Sequence, residues 1–117
     1  MILGYSNSND RKLCENERYS REHLGKDVSD ALFDLIDEII AAKDLSDIEV
    51  MPQYRLHPLH GNKKELFSLT PIKRYKYRVE FYPLDENNQK LICKTDLHTF
   101  YKTVKNIKIT NISEHYD

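Results

Sequence analysis

A chain of 117 residues makes one domain and can bury a modest core without disulfides or metals. Its two cysteines, Cys14 and Cys93, lie far apart without metal-ligand spacing, so a reducing compartment is expected, with no disulfide framework, metal or cofactor. The net charge of −1 divides into −6 over residues 1–50 (six Lys/Arg, twelve Asp/Glu) and +5 over residues 51–117 (twelve Lys/Arg, seven Asp/Glu). The densest apolar stretch, Leu35 to Ala42, is far too short to span a membrane and contains Asp37 and Glu38. No charged segment followed by an apolar one opens the chain, and the expectation is a cytoplasmic protein without membrane contact.

Ile2 to Tyr5 reads as a short opening strand. Over 9–24 the composition favours a surface helix, with a polar start at Asn9-Asp10, few β-branched residues and Gly25 as its stop. A second helix over 27–42 carries the strongest pattern: Val28, Ala31, Leu32, Leu35, Ile36, Ile39 and Ile40 recur at i, i+3, i+4 and i+7, with Asp30, Asp34, Asp37 and Glu38 outside the stripe. Asp27 is the expected cap, and Asp30 falls in the first turn, where the helix dipole favours negative charge. The two helices should form an antiparallel hairpin joined at Gly25.

After Pro52 the period changes. Tyr54 to His57 reads as extended, His60-Gly61-Asn62 as a turn, and Leu66 to Leu69 as a strand ended by Pro71. Tyr75 to Tyr82 is a further strand, with Tyr75, Tyr77, Val79 and Phe81 on one face and Lys76, Arg78, Glu80 and Tyr82 on the other. Asp85 to Asn88 is a turn, Leu91 to Cys93 is a brief pairing segment, and Thr95 to Lys105 fits a short helix. The last strand, Val104 to Ile112, alternates Ile107, Ile109 and Asn111 against Lys108, Thr110 and Ile112. Helices grouped ahead of strands predict an α+β fold, a two-helix hairpin packed on one face of a small, mostly antiparallel sheet whose other face is basic.

Seven basic residues and one acid, Glu65, lie between Arg55 and Arg78, enough to hold a polyanion through several phosphate contacts or to make a solvated lysine-rich face. No phosphate-cradling glycine loop, zinc pair or nucleophile elbow is present. Instead His57, His60, Lys63, Lys64, Lys73, Arg74, Lys76 and Arg78 fall on consecutive strands or their turns, and the sequence ends Glu114-His115-Tyr116-Asp117. Cleavage of RNA by its own 2′-hydroxyl needs a base, an acid and cations around the pentavalent phosphorane, all of which histidine, tyrosine and arginine supply. Plainer roles fit the same residues: His57 as a structural strand end, the lysines as exposed turn residues, Arg78 in an ion pair with Glu80 or Glu114, and His115-Tyr116 as a frayed terminus.

Several segments, in this order and spacing, resemble the HigB-like branch of the RelE/ParE toxin superfamily, the plasmid-maintenance killer proteins. They are Arg11-Lys12-Leu13-Cys14 with Leu24-Gly25, Ala41 to Ile48, Arg55-Leu56-His57-Pro58-Leu59-His60-Gly61-Asn62-Lys63-Lys64, Phe67-Ser68-Leu69, Tyr77-Arg78-Val79-Glu80-Phe81-Tyr82-Pro83 and Ile109 to Tyr116. The resemblance covers nearly the whole chain as one RelE/HigB-like domain, 1–117, with an extended insertion at about 84–103.

It implies a RelE-like fold, ribosome-dependent mRNA cleavage without metal, and neutralisation by a helix-turn-helix antitoxin. Residue by residue, His57 matches the family's histidine before the turn, Lys63 a basic residue of that turn, Arg78 the arginine of the Tyr-Arg-x-x-Phe strand, and Tyr116 the tyrosine near the C-terminus. The implied catalytic set is His57, Arg78 and Tyr116, with His115 in reserve as the acid. Arg55, Lys63, Lys64, Lys73, Arg74 and Lys76 are the candidate RNA-phosphate ligands. The family often ends acid-Tyr-His, whereas this chain ends His115-Tyr116-Asp117, with histidine and acid exchanged around the tyrosine. Two other classes fit the same resemblance: a binding-only toxin of the gyrase-inhibitor type, and a degenerate antitoxin-binding relative without activity.

Overall fold

The computed structural model describes residues 1–114. Strand β1 (Ile2–Tyr5) is followed by helices α1 (Ser8–Glu15), α2 (Glu17–Leu24) and α3 (Lys26–Ala41) and the single turn α4 (Ser46–Glu49). Strands β2 (His57–Pro58), β3 (Phe67–Leu69) and β4 (Tyr77–Leu84), a short α5 (Leu97–Tyr101) and β5 (Asn106–Glu114) complete an α+β fold. The sheet runs β1-β5-β4-β3-β2, with β1 parallel to β5 and every other pair antiparallel. No described helix is long and apolar enough to cross a membrane.

The periodic stripe of α3 turns to the core as its spacing predicts except at Ile40, which is exposed. Leu32, Leu35, Ile36 and Ile39 are buried in one cluster with Val79, Phe81, Ile107 and Ile109 of β4 and β5. Full burial of a Leu or Ile side chain contributes about 1.5–3 kcal/mol, so this seam is the main apolar source of stability. The segment between β4 and β5 adds to it: Phe67 stacks on Phe100 of α5 at 5.7 Å and meets the edge of Tyr101 at 5.8 Å.

The expected hairpin is three helices, because Asn16 divides the first. It is extended (φ −109°, ψ 104°) and its side chain accepts from the Tyr19 amide at 3.0 Å, opening α2 as an N-cap. Asparagine competes with the helix for backbone donors, which makes it a cap more readily than an interior residue. Gly25, at φ 82°, rather than Asp27, stands at the N-cap of α3; Asp27 lies in the first turn and Asp30 one position beyond it. Asp30 instead accepts from Lys26 at 2.9 Å and Arg21 at 3.2 Å, joining α2 to α3.

Two strand boundaries and one strand register also differ from the alternation. Pro52–Tyr54 is a 3-10 turn ended by Arg55 in the left-handed region, so β2 is reduced to His57–Pro58. Lys73–Tyr75 is a second 3-10 turn ended by left-handed Lys76, and β4 begins at Tyr77, leaving Tyr75 outside it. In β5 the register slips between Glu80 and Phe81: Asn111 faces Glu80 and Ile109 faces Phe81, so Thr110 is the extra residue of a β-bulge. The bulge reverses the later alternation, turning Ile112 into the core and Asn111 to the polar face, opposite to the simple period of two.

Candidate nucleic-acid interface

On the sheet face away from the helices, the register lines up one polar row across four strands: His57 opposite Ser68, Ser68 opposite Glu80, and Glu80 opposite Asn111. Arg78, two residues along β4 and on the same face, stands opposite Ser113. Beside this row lies a cleft of about 290 Å³ lined by Arg55, His57, Ser68, Thr70, Lys73, Lys76, Tyr77 and Arg78. Four of these side chains are permanent cations and none is a carboxylate, so the cavity is built for anions.

Glu80 organises one wall. Only 2% exposed, it accepts from Lys63 Nζ at 3.1 Å and 3.0 Å through its two oxygens, from Arg78 Nη2 at 2.8 Å through Oε2, and from Asn111 Nδ2 at 3.4 Å through Oε1. A buried carboxylate is tolerated only when its lone pairs are filled in this way. Two cations against one anion leave this trio a net charge of +1.

His57 is exposed at the sheet edge, and its Nδ1 lies 2.6 Å from the Arg55 carbonyl. A carbonyl only accepts, so the proton sits on Nδ1 and the neutral ring keeps its lone pair on Nε2. That is the tautomer a general base needs. The turns holding Arg55 and Lys76 have a feature in common: both residues are non-glycine and left-handed, at φ 50° and 56°. Such backbone costs of order 1–3 kcal/mol per residue and gathers at binding and catalytic sites. Tyr77 closes the cleft from the other side, its hydroxyl 3.4 Å from Glu114 Oε1. Burial, then the Glu114 carboxylate, push the phenol pKa up, so it stays protonated as a donor.

Of the residues singled out in the sequence, Arg55, His57, Lys73, Lys76 and Arg78 come together in this cleft. Lys63 stands behind it on Glu80, and Lys64 is exposed after the turn Gly61–Lys63. Arg74 points elsewhere: it pairs with Asp27 of α3 at 3.2 Å and lies over the Tyr75 ring, whose hydroxyl donates to the same carboxylate at 2.9 Å. His115 and Tyr116 lie outside the described residues; β5 brings the chain as far as Glu114, directly opposite Tyr77. Ser68, Thr70 and Tyr77 were not singled out. For Ser68 the signal was available, since it is the polar middle residue of Phe67-Ser68-Leu69 and must face away from the core.

Among the described residues no three His, Cys, Asp or Glu side chains are grouped closely enough to hold a metal ion. No protein-family model matches the chain, and no curated protein matches it either.

Proposed function

We propose that this chain is the toxin of a type II toxin–antitoxin pair, a RelE/HigB-like endoribonuclease that cuts messenger RNA on the ribosome without a metal cofactor. The observation that carries the reading is the cleft lined by four permanent cations and a histidine, with no carboxylate among the described lining residues. The family-like order of segments and the helices-before-strands arrangement over one sheet fit the same fold.

In this reading His57 Nε2 takes the proton from the 2′-hydroxyl, O2′ attacks the adjacent phosphorus, and the bond to the 5′-oxygen breaks. The products are a 2′,3′-cyclic phosphate and a 5′-hydroxyl. Arg78 stabilises the phosphorane, while Arg55, Lys73 and Lys76 hold the flanking phosphates. Tyr116 is the alternative base, and the proton for the 5′-oxygen is assigned to His115 in view of the exchanged ending. A helix-turn-helix antitoxin is the proposed partner that holds the toxin silent, and the cytoplasm the proposed location.

A second reading, a toxin that binds without chemistry, draws on the ion pair of Arg78 with buried Glu80. An arginine so engaged must share its partner to reach a phosphate. Expression of the chain alone, with the ends of cellular messages mapped, separates the two. The nuclease reading expects growth arrest with new 5′-hydroxyl ends inside translated frames. Arrest without such ends would establish the binding-only reading, and no arrest at all would count against both.

A further inference from the structure

Ser68 sits in the middle of the cross-sheet row, wholly buried, and its Oγ has no hydrogen-bond partner among the described residues. It nonetheless lines the cationic cleft. Tyr101 Oη shares that condition, but it belongs to the aromatic cluster with Phe67 and Phe100 and does not line this cleft. Buried hydroxyls are almost always bonded, so one left unpaired at the wall of a binding cavity points to a ligand.

The neighbours explain why the Ser68 proton has nowhere to go. Glu80, its partner on β4, has both oxygens taken by Lys63, with Asn111 on one and Arg78 on the other. His57, its partner on β2, turns Nδ1 to the Arg55 carbonyl. Both Glu80 oxygens are thus filled by other donors, and Ser68 lines a cleft whose cations attract an oxyanion.

We propose that Ser68 Oγ–H donates to a non-bridging oxygen of a phosphate group bound in this cleft. The hydroxyl fixes the group's position, and Arg55, Lys73, Lys76 and Arg78 supply the charge. The ligand class is a phosphate ester. This inference rests on the nuclease reading only in taking that ester to be the RNA backbone.

Two consequences separate a ligand contact from a structural serine. Removing a hydroxyl with no internal partner should leave stability unchanged or raised, because nothing in the fold is left unpaired. The same change should weaken phosphate binding, because a charge-assisted hydrogen bond is lost. The test compares wild type and Ser68→Ala, as folded full-length protein, with inorganic phosphate and an uncleavable 2′-deoxy trinucleotide as probes. The expected result is an unchanged or higher melting temperature without ligand, and about tenfold weaker trinucleotide binding. The rise in melting temperature caused by phosphate should shrink in parallel. Equal affinity in the two proteins, a lower melting temperature for Ser68→Ala without ligand, or no binding of either probe to wild type would each overturn the proposal. Wild type that binds the trinucleotide Ser68-dependently yet never cuts RNA would refute the nuclease reading and keep the subsite. Cleavage with equal trinucleotide affinity would refute the subsite and keep the nuclease.

Discussion

Arg78 and Glu80 are coupled by burial, and that coupling dictates how either can be probed. Breaking a buried ion pair by removing one partner costs about 3–5 kcal/mol, mostly from the charge left behind. Glu80→Leu leaves the partly exposed Lys63 and Arg78 without their shared acceptor and should lower stability by about 1–3 kcal/mol; thermal or urea unfolding measures it. Arg78→Ala mixes lost chemistry with lost stability. Arg78→Lys keeps a cation for Glu80 but removes the planar fork, and is the cleaner variant. Glu80 was unreadable as a buried residue, because on a strand's polar face a glutamate looks solvated until the lysine and arginine that cover it are in place. The left-handed backbone of Arg55 and Lys76 was equally hidden, since neither is a glycine or an asparagine.

At the scale of elements, local side-chain-to-backbone bonds decide where segments stop. The α3 stripe was legible because seven apolar residues keep one helical period, whereas the break at Asn16 is one side chain accepting one amide. Asn16→Ala should cost about 1 kcal/mol, read from chemical denaturation. The bulge at Thr110 left no mark, as no glycine flags it, and the phase of Ile112 could not be read without it. Asp44 ties the end of α3 to α4: its Oδ1 accepts from the Ser46 amide at 2.9 Å and from the Ser46 hydroxyl, and Oδ2 lies 3.5 Å from Lys105 Nζ. Burial pushes its pKa up, but the Ser46 bonds and Lys105 outweigh this and hold it below the ordinary 3.8. A depressed carboxylate stabilises the fold above its unfolded pKa and loses that contribution as pH falls through the folded value. Asp44→Asn should thus cost about 2 kcal/mol at pH 7, with the gap to wild type closing below about pH 4 in pH-dependent denaturation.

For the whole molecule, the charge asymmetry of the sequence becomes a division of labour between the two sides of the sheet. Acidic helices cover one face, and the basic segments from β2 to β4 surround the cleft on the other. That half of the site was legible as a charge run, while its focus on five residues depended on turns the alternation did not show. Lys73 makes no ion pair among the described residues and lines the cleft, so Lys73→Ala should lower the salt dependence of single-stranded RNA binding by about 0.7 in log–log slope. A filter-binding series in salt reads this directly.

If RNA is cut in this cleft, the cleavage rate on ribosomes programmed with a defined message must depend on the guanidinium of Arg78. Purified wild type should cut the message within the translated frame, and folded Arg78→Lys should cut it about a hundredfold or more slowly at unchanged ribosome binding. Equal rates for the two proteins, or ribosome binding by wild type with no cut, would contradict the account.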